Sequence, residues 1–336
     1  MKKLSVLTSL FVFGFSNFGS AQTTAQFEQI GYLLEDALLY SKQYLIPATD
    51  AAVYQASSAW MNSAKKKENW EINVGIHGNM FFVPNSDRSF TIANSDFQFL
   101  QLEGSQTTAE VPTAIGNDDT YYLVGDFDGQ QVRLKTPKGV NQETINYPYL
   151  DVSLALPSGT ELIGRFSTKT NLKRGYYQVY GVGLKHNISQ YFPSLEPKKI
   201  HISAMSFYSN EDISFDFLDV NTSYGNLGIN NLNGIVDTFH YQLAVSKEIN
   251  KFEILGSFIV NSSMFNYIVS GEKGAIEDII PAQKIINQLL DTIEKRKTNY
   301  IGEIAVNYSL NKFNFLSAFA FGKFFNYNLG VSYKIN

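Results

Sequence analysis

The chain has no cysteine, only two tryptophans and nine prolines, and no uncharged apolar run long enough to cross a bilayer as a helix. Without cysteine there is no disulfide framework, no thiol nucleophile, no cysteine-built zinc site and no lipid-modified amino terminus. A spanning helix needs roughly 20 apolar residues, and the apolar run at residues 4–15 falls short. A strong charge of one sign is also missing: 27 Lys and Arg face 31 Asp and Glu, without a basic block. Such a mildly acidic chain is a poor nucleic-acid binder.

What is present is aromatic and alternating. The chain holds 26 Phe and 20 Tyr, yet its mean hydropathy is slightly negative. Strands with one lipid face and one wet face average out in that way. In the last nine residues Leu329, Val331, Tyr333 and Ile335 alternate with Asn328, Gly330, Ser332, Lys334 and Asn336. The same period of two begins at Trp70, where Ile72, Val74 and Ile76 alternate with Asn73, Gly75 and His77. Further strands are predicted at 149–156, 161–166, 176–188, 200–208, 239–245, 252–260, 301–310, 313–321 and 327–335. Short connections at 157–159, 250–251 and 311–312 alternate with long ones at 210–237 and 262–299. That asymmetry distinguishes periplasmic turns from extracellular loops. Residues 84–146 are less regular and are read as barrel strands, an extracellular lobe or part of a plug. The expected fold is all-β, an antiparallel transmembrane barrel of about twelve strands within a range of ten to fourteen, carrying an N-terminal helical plug or cap.

The amino terminus has the parts of a secretory signal: Lys2 and Lys3, the apolar run 4–15, and Gly19-Ser20-Ala21. Cleavage after Ala21 would leave a helical segment at 22–67 and a barrel at 68–336. In that segment Phe27, Ile30, Leu34 and Leu38 recur at helical spacing, Pro47 ends a first helix, and residues 48–64 form a second with an alanine-rich face around Trp60. Lys65, Lys66 and Lys67 suit a helix C-terminus. A periplasmic or surface cap and a lumen plug both fit; Phe27, Leu34 and Trp60 are the candidate plug contacts. Arg165, Lys185 and Glu253 fall within strands and are expected to face the lumen, because a charge on the lipid face costs ~2–4 kcal/mol at the midplane. Arg165 and Lys185 are either solvated there or form a positive ladder for an anionic ligand or for Glu35 and Asp36 of the plug. Pro281 opens an amphipathic helix bearing Ile285, Ile286, Leu289, Leu290 and Ile293, lying over the rim or meeting a partner or membrane surface.

Catalytic and metal motifs are absent from the sequence: no Gly-x-Ser-x-Gly and no His-Glu-x-x-His. Asp126-Phe127-Asp128-Gly129 reads as a hairpin turn, since a calcium loop needs a glutamate where Pro137 stands. Glu211, Asp212, Asp216 and Asp219 are placed on an extracellular loop, facing water or lipopolysaccharide-bound divalent ions. No enzyme activity, cofactor or metal is expected.

The spacing of Asn328, Gly330, Tyr333 and Ile335 resembles the C-terminal signal read by the barrel-assembly machinery, although Ile335 and Asn336 replace the usual terminal aromatic. The segments 156–166 and 180–193, with Tyr44 to Pro47 and Trp60 to Ala64, resemble an uncharacterised family of Bacteroidetes outer-membrane barrels. In architecture the chain is similar to the long-chain fatty acid transport proteins of the outer membrane. That resemblance implies a monomeric barrel in outer-membrane lipid, passing or binding a small, hydrophobic solute through a gated lumen. A structural or adhesive surface barrel and a lipid-modifying enzyme are the alternatives.

Overall fold

The computed structural model describes residues 24–127, 129–218, 221–222, 225–226, 228–275, 281–291 and 296–336. The expected signal and its cleavage point lie outside them, as do Asp128, Asp219 and Ile293. The strands are β1 (Ile72–Phe82), β2 (Ser89–Ala93), β3 (Gln101–Leu102), β4 (Thr108–Pro112), β5 (Tyr122–Phe127), β6 (Gln130–Lys135), β7 (Thr144–Leu156), β8 (Thr160–Phe166) and β9 (Thr170–Leu172). They continue with β10 (Gly175–Asn187), β11 (Ile200–Asp216), β12 (Asn221–Thr222), β13 (Gly225–Asn226), β14 (Asn231–Ile249), β15 (Phe252–Ser270), β16 (Arg296–Leu310), β17 (Phe313–Phe321) and β18 (Phe325–Lys334).

Among the described residues ten of these, β1, β7, β8, β10, β11 and β14 to β18, close into one antiparallel barrel. β1 bonds to β18 on one side and β7 on the other, and β10 joins β8 to β11. β9 adds to β10. The count is ten rather than about twelve because the described residues of 84–143 contribute no wall strand, and 144–146 only begin β7: β2 and β4 form one small sheet, and β3, β5 and β6 another. Together they make a lobe on the connection from β1 to β7. The long connections are also shorter than expected, since β11 runs on to Asp216 and β14 begins at Asn231.

Turns at 157–159, 250–251 and 311–312 mark one end of the barrel, called here the turn end; the lobe marks the loop end. At 19 residues, β14 and β15 are about twice as long as the 9-residue β17, so one wall stands well above the other at the loop end. Outward residues such as Ile76, Val182, Leu243, Ile304 and Leu329 are apolar and exposed, while Asn73, His77, Asn79, Gln242, Glu303 and Asn328 point inward and are buried. Barrel strands alternate in this sense, the reverse of a soluble sandwich.

The N-terminal segment is one helix, α1 (Thr24–Ser57), which passes through Pro47 instead of ending there. Proline removes a single amide donor, and a helix packed on every side tolerates that loss; residues 48–57 are all buried. The expected second helix stops at Ser57, seven residues early, where Ala59 takes a positive φ of 55°. Residues 65–67 consequently follow an irregular segment and cap no helix.

Candidate functional site

α1 descends the lumen from loop end to turn end, and its contacts mark the levels. Near the top the Asp36 carboxylate accepts the amides of Gln98, Phe99 and Leu100 of the lobe, each at 2.8 Å. The Tyr40 ring meets Phe90 at 5.3 Å, and Tyr44 donates to the Lys138 carbonyl at 2.9 Å. Lower down Ser57 lies 3.2 Å from His240 Nδ1 and accepts a bond from Asn261 at 3.1 Å. Below that, the amides of Ala59 and Ala64 donate to Glu303 and Glu253 at 2.6 and 3.0 Å. The chain leaves at the turn end and enters β1. Thr24 therefore begins α1 on the loop side of the barrel.

Arg165 caps this helix. Its guanidinium donates to the carbonyls of Ala56, Ser58 and Ala59 at 3.4, 2.8 and 2.6 Å, between the rings of Trp60 (4.3 Å) and Tyr149 (4.1 Å). A helix C-terminus leaves carbonyls without intrahelical donors and carries partial negative charge; a planar guanidinium answers both. Lys185 pairs with Glu161, which also holds Lys67, and donates to the Ser63 carbonyl at 3.0 Å. Of the expected lumen charges, Arg165, Lys185 and Glu253 all face inward, but the ladder from Arg165 and Lys185 to Glu35 or Asp36 does not exist. Those two acids sit at the opposite end of α1, against Gln98 and its neighbours.

Replacing Arg165 with Met is expected to lower stability by roughly 3–5 kcal/mol, the range for removing one member of a buried charged network. Arg165→Lys should not restore it, because an ammonium cannot fork across three carbonyls between two rings. Urea unfolding in detergent micelles reads both; a loss under about 1 kcal/mol would show that the cap is dispensable.

Of the candidate plug contacts, Leu34 is buried and Trp60 stacks on Phe207 at 4.6 Å; the Phe27 side chain lies outside the described set. Asn328 is fully buried, bonded to Asn79 at 2.9 Å and to Ser58 at 2.8 Å. Gly330 faces the His77 ring, where a Cβ would stand 2.0 Å from Nδ1. Tyr333 points outward beside Phe313, and the Ile335 amide donates to the Ile72 carbonyl at 2.9 Å.

Sequence reasoning missed several inward polar groups. His77 lies 2.8 Å from Asp151, and His240 bonds Ser57 on one side and Ser209 (2.8 Å) on the other, with Ser209 donating to Glu211. Glu211 therefore faces the lumen, fully buried, and does not meet external water or ions; Asp212 binds the Tyr176 hydroxyl. Strand parity would have placed them only once register was known. A second helix, α2 (Ala282–Leu290), buries Ile286 and Leu290 and bonds Val269 of β15 through Asn287, so these apolar residues pack inward. On the lobe, Gly129 bonds Asp126 across the β5–β6 turn. Asp118 pairs with Lys173 of the rim at 3.0 Å, and that ammonium holds the Asp118 carboxyl below the usual range. At the turn end a cavity of about 360 Å3 opens beside the exit segment, lined among others by Lys67, Asp151, Glu161, Lys185, Asn307 and Ser332.

Fold and lumen together define a closed β-barrel filled by its own amino-terminal helix. The chain belongs to a family of unknown function, DUF6588, whose model matches residues 1–335. No curated protein matches it by sequence. Among solved structures it is similar to Ail, the attachment invasion locus protein of Yersinia pestis, with TM-score 0.27 and 8% identity over 80% of this chain and 100% of that one. It is also similar to the translocator domain of the autotransporter NalP from Neisseria meningitidis, with TM-score 0.33 and 9% identity over 80% of this chain and 88% of the other. The β domain of the Bordetella autotransporter BrkA gives TM-score 0.36 and 7% identity over 80% and 100%.

Proposed function

We propose that the chain is a monomeric outer-membrane barrel, sealed by its own helix, that holds a lobe outside the cell in a structural or surface-contact role. The observation that carries this reading is α1, which occupies the lumen and joins the lobe at one end and Arg165 at the other. The apolar outward belt fits lipid, with Tyr180, Phe239 and Tyr300 toward the loop end and Phe252, Phe313 and Tyr333 toward the turn end. Short turns support a periplasmic turn end. Passage of a hydrophobic solute has less support, because the groups facing α1 at mid-level include Asn261, Glu303 and Asn328. The array of Ser57, His240, Ser209 and Glu211 is enclosed, which favours a non-enzymatic role.

Protease added to intact cells should cut within the lobe, and the purified full-length protein should give no steady current in planar bilayers. A lobe protected on intact cells, or a permanently open channel, would refute the reading. The lipid-facing assignment has its own check. Leu329→Arg should destabilise the barrel by ~2–4 kcal/mol, and Ser332→Arg, beside the turn-end cavity, by much less. Equal effects in urea titrations would mean that the facing is wrong.

A further inference from the structure

α1 and the segment after it meet the two sides of the barrel differently. Toward β10, β11 and β14 the contact is largely dry, interrupted by the enclosed bonds of His240 to Ser57 and Ser209: Tyr44 packs against Phe215, Leu45 and Thr49 against Gly234, Trp60 against Phe207. Toward β15, β16, β17, β18 and β1 large apolar groups such as Leu255, Ile259, Ile301 and Leu316 alternate with inward residues that are small or polar. Ala305, Ala318 and Ala320 present only methyl groups. Around them Asn79, Asn261, Asn299, Asn307 and Asn326, with Gln55 of α1, each carry a buried polar atom that has no partner among the described residues.

These groups are neighbours by register. Asn261 pairs with Asn299, Ala305 with Ala318, Glu303 with Ala320, and Ala318 and Ala320 with Asn328 and Asn326. One unpartnered buried amide atom costs ~1–3 kcal/mol. Six of them together approach the whole stability of an ordinary domain, roughly 5–15 kcal/mol, unless water supplies the missing bonds. Small side chains beside polar ones provide both room and partners for it.

The seam has a mouth and a stopper. Asn307 and Ser332 belong to the lining of the turn-end cavity. At the loop end the ring of Phe324 turns inward, 5.1 Å from Tyr54 and 5.4 Å from Phe81, and is almost fully buried. The preceding residue, Lys323, is tied to Asp50 of α1 at 3.2 Å and to Asp87 at the base of the lobe at 2.9 Å. Glu303 supplies a carboxylate at mid-level, and carboxylates in a narrow wet path favour cations.

We propose that a water-filled seam runs along this side of α1 from the turn-end cavity to Phe324, and that withdrawal of Phe324 opens it to small cations. α1 then stays in place while a single loop residue gates the path. Because Asp87 restrains Lys323, a ligand engaging the base of the lobe would act on the gate.

The absence of native cysteine allows a direct test. In micelles, Ala318→Cys and Ala320→Cys should react with 2-aminoethyl methanethiosulfonate at least about tenfold faster than Val179→Cys on the dry side. Equal, slow labelling of all three in folded protein would overturn the seam. In planar bilayers Phe324→Ala should give small cation-selective currents, Phe324→Leu should remain closed, and adding Glu303→Gln to Phe324→Ala should reduce the cation preference. Silence of a Phe324→Ala protein that migrates as a folded, heat-modifiable barrel would overturn the gate. The cysteine measurement tests the seam even where Phe324→Ala fails to fold.

Discussion

Removal of residues 328–336 abolishes assembly, as the expected result of opening the barrel. β18 is bonded along its length to β17 on one side and β1 on the other, so its loss exposes two strand edges where lipid should be. Each unpaired backbone group in hydrocarbon costs several kcal/mol, and even a few exceed the stability of the whole fold. The lumen suffers as well: Asn328 ties Asn79 to Ser58 just below the end of α1. Full-length protein should migrate faster unheated than boiled on a denaturing gel, and the truncated chain should lose that difference. An intact, soluble truncated species would contradict the membrane reading itself.

These nine residues also show how much the sequence disclosed. Their alternation points to a wall strand, and Leu329 and Val331 are indeed exposed outward while Asn328 and Ser332 are buried inward. The resemblance to an uncharacterised barrel family is borne out by the match over residues 1–335. Long-range register was not legible. Nothing local shows that Gly330 must lack a side chain because His77 fills the space, or that Asn261 faces Asn299. The strand count was overestimated because the short apolar runs at 90–92 and 121–124 have strand character that the lobe uses in its own small sheets. Pro47 misled for a related reason: propensity describes a helix in water, whereas α1 is held by walls. Arg165 faces the lumen, but its role as a helix cap depends on where α1 ends, and Ser57 carries no sequence signal for that.

Deleting residues 24–67 while keeping residues 1–23 should convert a silent barrel into an open pore. A helix with its side chains is about 10 Å across, so its removal vacates a channel of about that width. Arg165→Met differs from this deletion. In that variant the helix remains and its terminal carbonyls are stranded in a dry site, which destabilises the fold. In the deletion the carbonyls leave too, and Arg165, Glu253 and Glu303 become lumen charges in contact with water, where their desolvation cost disappears. The truncated barrel should therefore still fold, with all ten wall strands present, and show stepwise currents in planar bilayers far larger than those of Phe324→Ala. It should also admit small sugars in liposome swelling. Because the lobe loses its contacts with Asp36, Tyr40 and Tyr44, protease should cut it faster on intact cells. A folded truncated barrel that stays silent would mean that the loop end closes without α1, and the helix would lose its assigned role as the seal.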